Sequence, residues 1–257
     1  MKSSTQSKER GIFVIKLSEF LLCENLFSKI PAQLSELFRG VKYPWEVLSG
    51  LRDYIKNYLP KSGLVEIFPD VFAAPNVKIA SGAEIAGPTV ILSGAEIRHG
   101  AYIRGSAFIG EECVVGNSTE IKNSLLFCRA QAPHYNYVGD SILGTHTHMG
   151  AGSVASNLKS TGTPVIVKPY RATSGNAKDL GKTIGEDIAL PQGEPIETGL
   201  RKLGAILADG ADVGCGCVLN PGTVIGKNSI VYPMSCVRGV IPEEVILKGE
   251  GKLVKKK

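Results

Sequence analysis

His134 follows a proline at the one place where the chain breaks step with itself, the segment Pro133, His134, Tyr135, Asn136. Histidine titrates near neutrality and so suits proton transfer, and irregularities that re-aim a side chain often lie beside active sites. A solvated corner histidine accounts for the same residues equally well. His146 and His148, in GTHTHMG, raise a zinc site as a second chemistry. Zinc needs a third protein ligand, for which only His99 and His134 remain. From Leu158 to about Leu203 the cations Lys159, Lys168, Arg171, Lys178, Lys182, Arg201 and Lys202 outnumber the carboxylates Asp179, Glu186, Asp187, Glu194 and Glu197. Such a loop is either an ordinary charged excursion or one that closes over a phosphorylated ligand.

The frame that positions these residues is a six-residue repeat. Stepping by six from Ile67 gives Ala73, Ile79, Ile85, Ile91, Ile97, Ile103, Ile109, Val115, Ile121 and Phe127. Four residues after each comes a second position, usually small, from Val71 and Val77 through Ala95, Ala101, Ala107 and Cys113 to Gln131. A period of six suits neither an amphipathic helix nor a simple alternating strand. It predicts a parallel β-helix in which each hexad is one side of a triangular coil. Gly and Asn in Ile-Gly-Glu-Glu, Val-Gly-Asn-Ser and Ile-Gly-Lys-Asn supply the turns. After Pro133 the expected inward series is Tyr137, Leu143, Met149 and Ala155, four residues out of phase; a second run covers Leu207, Val213, Leu219, Ile225 and Val231.

The predicted organisation is mainly β, with a helical N-terminal region over residues 1–66 and the β-helix over 67–257, interrupted by the loop 158–203. Pro31 and Pro44 sit where first-turn prolines start helices. Val47, Leu48, Leu51, Tyr54, Ile55 and Tyr58 give Pro44–Leu59 one apolar face. These helices are expected to cap a solenoid end or to help subunits associate. The net charge of +5 owes four charges to Lys252, Lys255, Lys256 and Lys257, a solvated tail rather than a nucleic-acid site. Cys217 falls at an inward small-residue position, so core packing explains it. Lys16, Glu19 and Glu24 punctuate the N-terminal apolar residues, so neither a signal peptide nor a membrane span is expected, and the expected location is the cytoplasm.

The stretch YIRGSAFIGEECVVGNSTEIKNSLLFCRAQAPHYNYVGDSILGTHTHMGAGSVASNL resembles the C-terminal acetyltransferase domain of the bifunctional glucosamine-1-phosphate acetyltransferase and N-acetylglucosamine-1-phosphate uridyltransferase, as it occurs in archaeal-type sugar-phosphate nucleotidyltransferases. ETGLRKLGA, after the loop, is a further point of likeness. The resemblance implies a left-handed β-helix that forms a homotrimer with active sites between subunits. It also implies acetyl-CoA as co-substrate and an amino-sugar phosphate, glucosamine-1-phosphate first, as acceptor, with no metal required. Carried over by position, His134 is the general base, and Arg104 and Lys122 hold the sugar phosphate. Tyr137 and Asn157 contact substrate, and Ala151 lies near the thioester.

Three positions depart from the family. His148 stands where an asparagine is usual near the amine, Leu158 replaces a tyrosine, and Cys215 replaces a serine that helps hold coenzyme A. The residues before Ile67 are too few for a uridyltransferase domain and hold no glycine-rich nucleotide loop, so only the acetyl step is expected, with a separate nucleotidyltransferase as a possible partner. A non-catalytic scaffold is the alternative reading of the same solenoid.

Overall fold

The computed structural model describes residues 15–58, 63–171, 184–185 and 188–257. Lys178, Asp179, Lys182, Glu186 and Asp187 of the basic loop lie outside these. The chain winds into a left-handed parallel β-helix with three flat walls. The first wall runs from Val71–Ala73 through Thr89–Ile91, Ala107–Ile109, Ser124–Leu126, Ile142–Leu143, Ala205–Leu207 and Thr223–Ile225 to Val240–Ile241. The second includes Val114–Asn117, Gln131–His134, His148–Met149 and Asp212–Val213, and the third includes Tyr102–Ile103, Glu120–Lys122, Tyr137–Gly139, Val154–Ala155 and Val218–Leu219. Aliphatics from all three walls, among them Ile91, Ile97, Ile103, Ile109, Val115 and Ile121, fill the axis fully buried. Each contributes about 1.5–3 kcal/mol by leaving water. The run Leu207, Val213, Leu219, Ile225 and Val231 points inward as predicted, and Cys217 is buried among them.

Two expectations about register are corrected. Ile67 is not the first inward residue: Val65–Phe68 runs antiparallel to Val71–Ala73, and Ile67 is exposed. Nor does the phase change come from four residues inserted at Pro133. Ile121 pairs with Val138 and Val138 with Ala155, so two successive coils are each one residue shorter than three hexads. The shortening falls where the third wall turns into the first. Below it that corner uses two left-handed residues, Gly105 (φ 86°) and Ser106 (φ 50°); in the next two coils it uses one, Asn123 (φ 47°) and then Asp140 (φ 50°). Two single deletions shift the hexad phase as one four-residue insertion would, which is why the two look alike in sequence. The inward residues are therefore Leu126, Ala132 and Val138, while Phe127 and Tyr137 face outward and Gln131 is exposed.

The N-terminal region is not an end cap. It consists of short pieces, helices at Leu17–Phe20, Cys23–Leu26 and Leu51–Tyr58 and tighter turns at Ala32–Leu34 and Pro44–Ser49, the last two beginning after or at the two prolines. Gly50 separates the turn from the following helix. Leu21, Leu26, Phe27, Phe38, Trp45, Leu48, Leu51 and Ile55 pack on the outer face of the first wall, against Val90, Phe108, Leu125, Phe127, Ile142, Ile206 and Val224. Phe127 meets Phe27 and Phe38 with ring centroids 4.9 and 6.1 Å apart. The apolar outer face of that wall forces this: without a cover it would lie in water along most of the solenoid. Asp209 pins the cover, accepting hydrogen bonds from the Ser28 and Thr145 backbone N–H groups at 2.6 and 2.8 Å.

The loop after Asn157 leaves and re-enters at one point, with Leu158 bridged to Lys202 and the Leu203 N–H donating to the Asn157 carbonyl at 3.0 Å. Within it Ile166–Val167 pairs antiparallel with Ile196–Glu197, and Val165, Val167 and Leu203 bury against the first wall. Past Val237 the chain adds Val245–Lys248 and then an antiparallel partner, Lys252–Lys255. Among the described residues no helix is long and apolar enough to cross a membrane.

Candidate active site

The third wall carries the candidate residues at its two corners. Where the second wall turns into the third, successive coils stack Asn117, His134, Ala151 and Cys215. The Tyr135 N–H donates to the Asn117 carbonyl at 2.8 Å, the Gly152 N–H to the His134 carbonyl at 3.0 Å, and the Gly216 N–H to the Ala151 carbonyl at 2.8 Å. His134, Ala151 and Cys215 thus form one file along the solenoid. His134 is exposed, and its imidazole makes no hydrogen bond or ion pair among the described residues. Its outward aim was expected, but an ordinary corner produces it, not a bulge. Beside it Asn136 is buried and ties the turn, donating to the Gly150 and Ser153 carbonyls and accepting from the His134 N–H. Beside Ala151 the corner is open: a Cβ placed on Gly152 would meet nothing within 4 Å.

Arg104, Lys122 and Asn157 lie at the opposite corner, where the third wall turns into the first, and Tyr137 lies between the two corners. The Asn157 amide donates to the Tyr137 hydroxyl at 3.2 Å and to Asp140 Oδ2 at 2.5 Å. Asp140, its side chain 7% exposed, also receives Asn123 Nδ2 at 2.8 Å and the Lys122 ammonium at 3.3 Å. Burial, and after it the charges of Glu120 and Asp140, push the Tyr137 phenol above its ordinary range. Because the hydroxyl oxygen accepts from Asn157, the phenolic proton is left to donate outward.

Sequence reasoning missed the carboxylates. Arg104 Nη1 bonds Glu120 Oε1 at 2.7 Å, so both candidate phosphate cations carry a carboxylate partner. Glu120 and Asp140 reach these cations from the next coil, 16 and 18 residues along the chain, so no local spacing signals them. Two cations at the loop's return, Arg201 and Lys202, have no carboxylate partner among the described residues. With Leu48, Ser49, Asn123, Asp140, Leu158 and Leu200 they line a cavity of about 490 Å³. The N-terminal region therefore borders the site. Removing Asp140 strands Lys122, Asn123 and Asn157 together. Asp140→Ala is expected to cost about 3 kcal/mol, the low end for breaking a buried pair because Lys122 is partly exposed. Chemical denaturation checks this; a loss under about 1 kcal/mol would show the cluster to be dispensable.

His148 sits apart from both corners, on the second wall one coil above Gln131. Its Nδ1 lies 2.9 Å from Asp212 Oδ1, a contact that holds the Asp212 carboxyl below the usual carboxylate range. Among the described residues no group of three His, Cys, Asp or Glu side chains gathers around a common point where a metal would sit.

A family model described as the GMPPB C-terminal domain matches residues 85–192. The bifunctional protein GlmU of Methanococcus maripaludis strain S2 is 34% identical over 231 residues, covering 88% of this chain and 51% of that protein. That of strain C7 is 42% identical over 204 residues, covering 77% and 44%. The chain thus spans about half the length of these relatives. A solved structure of LpxA, a UDP-N-acetylglucosamine acyltransferase from Bacteroides fragilis, covers 71% of this chain and 72% of its own at 11% identity, with a TM-score of 0.40, an overlap too slight to carry a conclusion.

Proposed function

We propose, taking the chain as a GlmU-like C-terminal acetyltransferase domain, that it transfers the acetyl group of acetyl-CoA to the amine of an amino-sugar phosphate, glucosamine-1-phosphate first among them. The observation that carries this reading is the third wall itself: an open histidine in file with Ala151 and Cys215 at one corner, and a cationic, hydrogen-bonding cluster at the other. The amine nitrogen attacks the thioester carbon while His134 takes its proton; the carbon–sulfur bond breaks, and the proton passes to the departing thiolate. Tyr137 donates its phenolic proton to the acceptor, and Asn157 holds Tyr137 in place. Arg104 and Lys122 hold the phosphate after exchanging part of their bonding to Glu120 and Asp140 for it, and Arg201 and Lys202 add charge from the loop. The thioester lies along the file of Ala151 and Cys215. No step calls on a metal.

A phosphate requirement tests the assignment of the cations. Thiol release from acetyl-CoA is expected with glucosamine-1-phosphate or a related amino-sugar phosphate, and to fall at least about tenfold in kcat/KM with the unphosphorylated sugar, as loss of charge-assisted bonds predicts. Equal turnover of both would remove the phosphate from the account.

The working form is proposed to be a homotrimer. Four of the exposed large apolar residues support this: Tyr102 and Val218 lie on the third wall, and Tyr135 and Met234, the latter 82% exposed, on the His134 corner. The first wall is already covered by the N-terminal region. Met234→Lys is expected to shift the protein from trimer toward monomer in analytical ultracentrifugation and to lower turnover with it. An unchanged trimer would place the interface elsewhere.

A further inference from the structure

A second cationic cavity lies above the candidate site, between the loop and the first-wall corner. Its volume is about 470 Å³, and Lys159, Lys168, Arg171 and Arg238 line it with no carboxylate among the described residues that line it. Four other cations on the solenoid are matched, Arg98 by Glu96, Arg104 by Glu120, Lys122 by Asp140 and Arg129 by Glu112. Among the described residues Lys159, Lys168, Arg171 and Arg238 have no carboxylate partner; of these, Lys159 alone is tethered, donating to the Pro164 carbonyl at 2.7 Å. The cavity is built rather than accidental. The Val240 N–H donates to the Lys168 carbonyl at 3.0 Å, joining the loop to the strand that follows Arg238. Close approach is possible only because residue 239 is glycine: with φ 80°, a Cβ there would meet the Lys168 and Pro169 carbonyl oxygens at 2.9 Å. Like charges held together on a fixed frame raise the free energy of the empty site and favour an anion within it. Ile166, Pro195 and Pro221 supply an apolar side to the same cavity.

We infer that this cavity binds a nucleotide through its diphosphate, with Lys168, Arg171 and Arg238 on the phosphates and the apolar side against the nucleoside. More than one phosphate is required, because several separated cations face one space and a single phosphate satisfies only part of them. The site is apart from the His134 file and does not rest on the acetyltransferase reading. Titration calorimetry of the full chain with ADP, AMP, pyrophosphate and CoA tests it. ADP is expected to bind, with AMP at least about tenfold weaker and ADP affinity falling as salt rises. Lys168→Ala and Arg238→Ala, both at exposed positions, should each weaken ADP about five- to tenfold without moving the melting temperature, whereas His134→Ala should leave ADP binding unchanged. CoA that displaces ADP and is weakened by the same two variants would identify the acetyl donor as the source of the diphosphate. CoA that binds alongside ADP would identify a separate nucleotide. Absence of ADP binding at millimolar concentration, or binding indifferent to both variants, would overturn the inference.

Discussion

Acetyl transfer by the His134→Ala protein is expected to fall at least about a hundredfold in kcat, with the oligomeric state and the melting temperature unchanged. A positioned base contributes typically 10²–10⁴-fold, and His134 is the histidine in file with Ala151 and Cys215. The stability half of the prediction follows from its setting. The side chain is exposed and bonded to no described residue, while the turn is held by Asn136 and by backbone hydrogen bonds that alanine retains. Stopped-flow thiol detection beside thermal melting separates the two halves. Turnover unaffected by the substitution would leave the transferase standing and remove His134 from its mechanism. If the residual rate instead vanished in His148→Ala, the Asp212-bound histidine would be the base.

The largest structural effect is expected at Gly116. A Cβ added there would overlap the carbonyl oxygen of Pro133, the residue before His134, on the next coil. Neither side of that contact can move alone, because both are backbone within one parallel ladder in which Ala132 pairs with Val115 and His134 with Asn117. Overpacking a well-filled interior typically costs about 1–3 kcal/mol and sometimes more, and a backbone-to-backbone clash belongs at or beyond the upper end. Gly116→Ala is therefore expected to lose about 3 kcal/mol or more in denaturant unfolding. Because the strand carrying His134 must shift to admit the methyl group, kcat should also fall in whatever fraction still folds. Wild-type stability in Gly116→Ala would mean that these coils are spaced more loosely than their pairing requires.

Much of the architecture was legible because a solenoid repeats one local rule. Ile91, Ile97 and Ile103 need only their hexad phase to be placed inward, and the later run from Leu207 followed the same phase. The phase at Tyr137 was misread because register reports only the accumulated count modulo six. Asn123 and Asp140, each doing alone what Gly105 and Ser106 do together, carry the missing information in their backbone conformation. The N-terminal cover was misplaced for a different reason. Val90, Phe108, Leu125 and Ile142 form an outward apolar stripe at the middle of successive first-wall strands. Following only the inward positions passes over that stripe, although it says which surface needs covering. At the site, the break in the repeat singled out His134, and the family resemblance nominated Arg104, Lys122, Tyr137 and Asn157. The partners that set their charge, Glu120 and Asp140, come from neighbouring coils, and coil-to-coil proximity appears only once the walls are aligned.

The central claim is tested most directly by incubating the wild-type protein with acetyl-CoA and glucosamine-1-phosphate, and measuring thiol release and amide formation on the sugar together. The account predicts one amide formed for each thiol released, with the acetyl group on nitrogen. Transfer to a hydroxyl instead, or no transfer to glucosamine-1-phosphate or any other amino-sugar phosphate by protein shown to be folded and trimeric, would contradict it.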